Sequence, residues 1–268
     1  FARLYGQTKR SYIRVGYGFS RTRNGSAQLH AVTCLPSVTG AWQYPGGGAL
    51  YGQSGLYQLD RSLIMGLDVM DPSIRRLDQS RMGPILNGDP RDIGDGPPVK
   101  ALFIQNTNPM VVCPESTKVR QGFAREDLFV AVHEQFMTDT AAMADIVLPA
   151  TTFLEHDDFY TASGHTSLQV AKKVIEPHAE ARSNHDVISA LARRLGAEHP
   201  GFHMTGWELI DAMLKSSNLP DADTLHRMGG IDMAPDFETA VLAALKAGRI
   251  PGAPPAGCRG PRRLRMEK

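Results

Sequence analysis

Hydrophobic and polar residues alternate in blocks along the middle of the chain. Short apolar runs rich in Val, Ile, Leu and Phe are separated by segments with helical spacing. Strands that alternate with helices are typical of a parallel sheet covered by helices. We therefore predict an α/β fold with an open, mainly parallel sheet and flanking helices. Its predicted strands are residues 99–105, 127–132 and 145–148, and its predicted helices are residues 115–123 and 138–143.

The flanking patterns predict a strand over residues 11–19, an extended segment over 167–175, and helices over 25–38, 184–195, 207–215 and 237–246. Residues 41–98 are rich in Gly, Pro and Asp and show no regular period. A segment of that length without regular structure is uncommon in a compact domain unless it is a binding loop. We divide the chain into a strand, helix and Gly/Pro-rich region (1–98), an α/β dinucleotide-binding region (99–248), and a tail (249–268). The Pro, Gly and Arg of the tail predict disorder.

Composition excludes several classes of function. The 268 residues carry a net charge of +1, which indicates neither nucleic acid nor an anionic membrane as partner. No apolar run approaches the roughly 20 residues of a membrane helix, so no membrane insertion is expected. Cys34, Cys113 and Cys258 form no Cys-x-x-Cys pair, so we expect reduced thiols and no metal cluster held by this chain. No signal peptide is visible in a sequence that starts at Phe1, and a cytoplasmic location is the default expectation.

Two polar clusters follow the predicted strands. Asn106, Thr107 and Asn108 come directly after the first strand, where amide and hydroxyl groups can bond a phosphate or a sugar. An ordinary polar turn is the alternative. Ligands of open parallel sheets bind at the carboxyl ends of the strands, so the pair of clusters predicts one wall of a site for a large polar cofactor.

The second cluster is Glu134 to Thr138. The Glu134 carboxylate can accept two hydrogen bonds from the N1 and N2 edge of a guanine. Thr138 would begin a helix whose N-terminus favours a pyrophosphate. The alternative is helix capping and core packing, with Phe136 and Met137 in the core.

Two other patterns are weaker. Gly16 to Gly18, Arg21 and the glycines 46–48 would allow a ligand to approach the backbone, and Arg21 could pair with a phosphate. The segment 155–158, with His165 nearby, carries possible metal ligands, although its spacing is more typical of a polar loop. The sequence lacks the Gly-x-Ser-x-Gly motif that would indicate a hydrolase. It also lacks the Gly-x-Gly-x-x-Gly motif that would indicate a nicotinamide-binding dehydrogenase.

The sequence resembles the molybdopterin oxidoreductases, the dimethyl sulfoxide reductase and formate dehydrogenase superfamily, from about residue 14 to 199. The matching motifs are Val-Thr-Gly at 38–40, Pro-Gly-Gly-Gly at 45–48, the polar strand end at 105–109, the specific block Gln-Phe-Met-Thr-Asp-Thr-Ala-Ala-Met-Ala-Asp-Ile-Val-Leu-Pro-Ala at 135–150, and the polar segments 155–158 and 182–186.

The resemblance implies a bis(molybdopterin guanine dinucleotide) cofactor with molybdenum or tungsten, and two-electron redox chemistry on a small-molecule substrate. The implied nucleotide contacts are Asn106, Thr107, Asn108, Glu134, Gln135, Phe136 and Thr138. Gly18, Arg21, Gly52 and Gln53 would lie nearer the pterin, which the region 1–98 would face. The implied polypeptide is the middle of a longer catalytic subunit, with a possible electron-transfer partner subunit.

Two departures from the family pattern matter. Tyr51 stands where formate dehydrogenases have an arginine before the matching Gly-Gln, which puts formate oxidation in doubt. The family's iron–sulfur Cys motif, which would hold a 4Fe-4S cluster, and its molybdenum ligand are not recognisable here. We therefore name no catalytic residue and expect no turnover from this chain alone. The alternative is a non-catalytic electron-transfer or assembly subunit resembling the large iron–sulfur subunit of respiratory complex I.

Overall fold

A computed structural model describes residues 1–52 and 54–234. Gln53, the predicted helix over 237–246 and the predicted tail over 249–268 lie outside these residues. The chain forms two compact units. Among the described residues, the first comprises Phe1–Leu56, Ser163–Ser167 and residues 232–234, and the second comprises Tyr57–Ala162 and Leu168–Ile231. The predicted boundary at residue 98 separates a pterin-facing region from a dinucleotide-binding region, and it stays a prediction. The boundary between the two compact units in this part of the chain lies after Leu56.

The first unit is built on one long helix. Its elements are α1 (Ala2–Gln7), β1 (Tyr12–Arg14), α2 (Gly25–Thr39) and β2 (Gly48–Leu50), with β1 and β2 paired in parallel. Helix α2, which confirms the prediction, ends at Gly40, whose φ of 72° is the left-handed C-terminal cap that glycine favours. The predicted strand over 11–19 is wrong beyond Arg14, because the chain turns at Gly16 into the 3₁₀ helix Tyr17–Arg21.

The second unit contains the predicted parallel sheet. Strands β3 (Ala101–Gln105), β4 (Phe129–Glu134) and β5 (Ile146–Pro149) are adjacent in the order β3-β4-β5. Helices α3 (Ser62–Met65), α4 (Met82–Leu86) and α5 (Pro90–Ile93) precede the sheet, and α6 (Pro109–Val112) and α7 (Ser116–Phe123) connect β3 to β4. The α/β fold class is confirmed.

One face of this sheet makes the core. Ile104, Val130 and Val132 are buried against side chains of α4, α6 and α7. Helices α4 and α7 approach closely at Gly122, where an added Cβ would lie 2.4 Å from the Leu86 Cβ. Burial alternates along β3, with Leu102 and Ile104 less exposed than Ala101 and Phe103, because the two faces of the strand meet different surroundings.

Two expectations for the connecting segments are wrong. Residues 41–98 contain β2 and the short helices α3, α4 and α5. Asp89 accepts the Arg91 N–H at the start of α5, and Asp78 accepts the Ser80 N–H at the start of the 3₁₀ helix Gln79–Arg81, which precedes α4. The predicted helix over 138–143 is only the three-residue 3₁₀ helix Ala141–Met143.

A second sheet and three helices complete the described chain. Strands β6 (Asp158–Tyr160), β7 (Ser167–Ala171) and β8 (Ile231–Asp232) lie in that order, with β6 and β7 antiparallel. Helices α8 (Asn184–Arg194), α9 (Gly206–Ser216) and α10 (Ala222–Met228) follow β7. Helices α8 and α9 confirm the predictions, and both begin at side-chain caps. Within the described ranges, no helix is long and apolar enough to cross a membrane.

Candidate functional site

The two predicted polar clusters are neighbours in the structure. Gln105 pairs with His133 at the ends of β3 and β4, and the Asn106 N–H donates to the His133 carbonyl at 3.2 Å. Asn106 adopts a left-handed φ of 52°, which amide side chains tolerate better than most. The carboxyl ends of β3 and β4 therefore present both clusters along one edge.

The side-chain oxygen of Asn108 is already hydrogen-bonded within the protein. Its Oδ1 accepts the hydroxyl of buried Thr140 at 2.7 Å, and that hydroxyl accepts the Met110 N–H at 3.1 Å. Thr107, half-buried, lies between Asn106 and Asn108. The amide nitrogen of Asn108 remains as a donor, while its oxygen ties the β3 loop to the segment after β4.

The β4 end carries a fixed carboxylate and an exposed ring. Glu134 Oε1 accepts the Gln135 N–H at 2.7 Å, and Gln135 Nε2 donates to the Thr151 carbonyl at 2.8 Å. Phe136 is 71% exposed and Met137 is 72% exposed, so the alternative that they pack in the core is wrong. An exposed aromatic ring beside a held carboxylate is a surface that a planar base can contact.

Thr138 does not begin a helix with a useful dipole. Its hydroxyl oxygen accepts the Ala141 N–H at 3.1 Å, and the 3₁₀ helix that follows has three residues. A macrodipole needs several aligned peptide units, so the expected helix-terminal attraction for a pyrophosphate is not available here. Thr138 can still offer its hydroxyl proton.

A cavity of about 1070 Å³ lies within the second unit beside these strand ends. It is bordered by the loops after β3, β4 and β5, by the start of α8 and by the start of α9. Asn106 and Gln135 line it, whereas the other five predicted nucleotide contacts lie around the same strand ends without lining it. The cavity also contains residues that were not among the predicted contacts, notably Thr151, Lys173, Arg182 and Asn184.

No role was predicted from the sequence for His133, or for Arg182, which lies in the matching segment 182–186. Arg182 forms an isolated parallel bridge with Ala150, one residue beyond β5, and α8 begins two residues later. His133 is fully buried at the end of β4. The available signal for His133 was a titratable side chain at the end of an otherwise apolar strand, because such a residue needs buried partners.

The predicted pterin-side residues lie in the first unit. Gly18 and Arg21 belong to the 3₁₀ helix Tyr17–Arg21, and Arg21 is exposed. An added Cβ at Gly18 or Gly52 would meet no atom within 4 Å, so the backbone is open at both positions. Gln53 is outside the described residues.

The carboxylates of the segment 155–158 accept hydrogen bonds from the protein backbone. Buried Glu155 accepts the Thr152 N–H and the His178 N–H, each at 2.7 Å, and these bonds hold the pKa of Glu155 below its ordinary value. Asp157 accepts the Lys173 N–H at 2.8 Å. Among the residues placed by the structure, no three His, Cys, Asp or Glu side chains gather as a metal site. These bonds are those of a polar loop.

Comparison with known proteins decides the family. The family model described as molybdopterin oxidoreductase matches residues 5–194. The chain belongs to the molybdopterin oxidoreductase family. That span includes both strand-end clusters, Arg182 and the whole of α8.

Individual relatives agree. The chain is 41% identical over 196 residues to the probable oxidoreductase YoaE of Bacillus subtilis, covering 73% of this chain and 28% of YoaE. It is 29% identical over 213 residues to formate dehydrogenase H of Escherichia coli, covering 73% and 29% respectively. It is 35% identical over 147 residues to the dimethyl sulfoxide/trimethylamine N-oxide reductase of Rhodobacter capsulatus, covering 53% and 17%.

The chain thus spans less than a third of the length of these relatives. These relatives bear the names of oxidoreductases. Their names support the interpretation of this chain as part of an oxidoreductase and do not favour the alternative of a non-catalytic subunit like that of complex I.

Proposed function

We propose that this chain is part of a molybdenum- or tungsten-dependent oxidoreductase and binds the guanine dinucleotide arms of a bis(molybdopterin guanine dinucleotide). The observation that carries the proposal is the meeting of the two polar clusters at the ends of β3 and β4, beside a cavity of about 1070 Å³. Ligand cavities are typically about 300–1,000 Å³, so this one has room for a nucleotide.

The chemistry of the residues present fits a guanine nucleotide. A guanine presents two N–H donors on one edge, and a carboxylate is the acceptor that matches them. Glu134 uses Oε1 for the Gln135 N–H, and its other oxygen has no partner within the described chain. The ribose and phosphates need donors, which Asn106, Thr107, Asn108, Gln135 and Thr138 provide.

Each part of the chain then has its own task. The β4 end orients the base through Glu134, with the exposed Phe136 ring as a stacking surface. The β3 loop holds the sugar and phosphates. Gly18, Arg21, Gly52 and Gln53 would approach the pterin.

When bound, the cofactor supplies the two-electron redox chemistry at its metal, and the protein supplies binding and orientation. A small-molecule redox substrate and an electron-transfer partner belong to the same proposal. A 4Fe-4S cluster, if the whole protein has one, would be held by polypeptide outside this chain. Tyr51 argues against formate as the substrate.

Titration of the 268-residue chain with GDP and with ADP, followed by isothermal calorimetry, tests the proposal. We expect GDP to bind more tightly than ADP, because only guanine presents two donors to a carboxylate. Glu134→Gln removes the charged acceptor and should erase most of this preference, by about tenfold in Kd. Glu126→Gln, at an exposed carboxylate away from the cavity, is the matched control and should leave it unchanged. Equal affinity for GDP and ADP in the unsubstituted chain would contradict the proposal.

A further inference from the structure

His133 has two defined partners in the interior of the second unit. Its Nδ1 lies 3.1 Å from Gln105 Nε2, and its Nε2 lies 3.1 Å from the Arg182 carbonyl oxygen. An amide nitrogen donates and a carbonyl oxygen accepts, so Nδ1 accepts from Gln105 and Nε2 donates its proton to the Arg182 carbonyl. His133 links three segments that are far apart in the sequence.

The backbone of Arg182 is held on both sides. Its N–H donates to the Pro149 carbonyl at 3.1 Å, and its carbonyl accepts the Thr151 N–H at 3.2 Å as well as the His133 ring. The next residue, Ser183, caps α8 by accepting the Asp186 N–H at 3.1 Å. The hydrogen bond from His133 thus holds the Arg182 backbone in place between its bridge to the end of β5 and the start of α8.

The Arg182 side chain is a cation with no hydrogen-bond or ion-pair partner in the described part of the chain. Arg182 is exposed and is one of the residues that line the cavity. Lys173, also at the cavity, has Glu176 at 2.9 Å. A guanidinium left free at a cavity wall can offer two parallel N–H groups to a phosphate.

The carboxylates of the same cavity have other partners. Glu155, Asp157 and Asp158 each accept at least one backbone N–H. Asp186 accepts the Ser183 hydroxyl at 2.7 Å. These acidic groups are tied to the protein itself, so none of them neutralises Arg182 through a direct contact.

We propose that Arg182 binds a phosphate of the nucleotide, and that His133 is the positioning residue that sets Arg182 through the bond to its carbonyl. This inference rests on the proposed nucleotide function and adds the residue that meets the ligand's charge.

Two substitutions separate positioning from general stability. In His133→Gln the amide nitrogen can occupy the place of Nε2 and keep the bond to Arg182. In His133→Asn the amide can reach only the place of Nδ1, so the bond to Gln105 is kept and that to Arg182 is lost. Each variant loses one buried hydrogen bond, so a merely structural role predicts similar losses of Tm and similar GDP affinities for both.

We measure the Kd of GDP, pyrophosphate and guanosine for each variant by calorimetry. The expected result is about tenfold weaker GDP and pyrophosphate binding in His133→Asn and Arg182→Gln. His133→Gln should stay near the unsubstituted chain, as should the control Arg120→Gln, which removes an exposed cation of α7 that does not line the cavity. Guanosine, which lacks phosphate, should bind all of them alike.

The outcomes distinguish this inference from the function on which it rests. If GDP binds with guanine preference but Arg182→Gln and His133→Asn have no effect, the inference is overturned and the proposed function stands. If pyrophosphate binding depends on Arg182 and His133 while GDP and ADP bind equally, the guanine assignment fails and the inference stands. If neither GDP nor pyrophosphate binds, both are overturned.

Discussion

The two units of this chain are stabilised in different ways. Residues 1–56 contain six Lys and Arg and no Asp or Glu. The buried hydrophobic side chains described there are Val15 and Ala41, whereas Val38 and Trp42 are largely exposed. The second unit has a continuous core under β3, β4 and β5 and many carboxylates bonded to backbone N–H groups. The strand ends that form the candidate site are therefore supported by a core, while the first unit depends more on local turns and caps.

The largest expected contrast is in core truncation. Leu86, 1% exposed, packs in the core of the second unit, and Leu86→Ala should lower the free energy of unfolding by about 2–5 kcal/mol. Val38→Ala, at a position that is 84% exposed in α2, should change it by about 0.5 kcal/mol or less. Urea unfolding of both variants measures the two values. Similar losses would show that the two units do not differ in this way.

Cysteine reactivity gives the second contrast. Cys34 is exposed on α2, with its Sγ 3.8 Å from His30 Nε2, whereas Cys113 is buried and burial raises the pKa of its thiol. In a Cys258→Ser background, a thiol reagent at pH 7.5 should modify Cys34 on the order of tenfold faster or more. Peptide mass spectrometry over time reports both rates. Equal rates would mean that the core around Cys113 opens readily.

Acid sensitivity gives the smallest contrast. The N–H groups of Thr152 and His178 hold the pKa of Glu155 below that of an ordinary glutamate, so the unfolded chain takes up the proton first as the pH falls. The stabilisation is complete above the ordinary glutamate pKa and is lost as the pH falls through the lower, folded-state value. We expect the Tm to fall between about pH 5 and pH 3, and the slope to flatten in Glu155→Gln.

The acidic control is Glu126→Gln, because Glu126 is exposed and has no such bonds in the described chain. That variant should keep the slope of the unsubstituted protein. A slope that is identical in all three proteins would remove Glu155 from the account of acid stability.

Local patterns predicted the parts of the fold that local physics decides. The alternation of apolar runs and helical segments found β3, β4 and β5, and the helical spacing over residues 184–195 found α8. Short helices within residues 57–98 were missed because their apolar residues show no sustained period. Thr138 was misjudged since tertiary packing leaves only a 3₁₀ turn after it.

The candidate site was predictable in outline and not in its contacts. Two strands in parallel order place Asn106 near the end of β4, which sequence reasoning could anticipate. The bond from His133 to Arg182 joins residues 49 positions apart, and no local pattern encodes it. Nor does the sequence show that the Asn108 side-chain oxygen accepts a hydrogen bond from the Thr140 hydroxyl.

The most direct test of the central claim is chemical analysis of the intact protein that contains this chain. Acid hydrolysis of the purified protein, with nucleotide chromatography and metal analysis, measures GMP, other nucleotides, molybdenum and tungsten. The account predicts GMP as the released nucleotide, at about two molecules per metal atom, as a bis(guanine dinucleotide) cofactor requires. Protein that carries no GMP and neither metal, or that releases a different nucleotide, would contradict it.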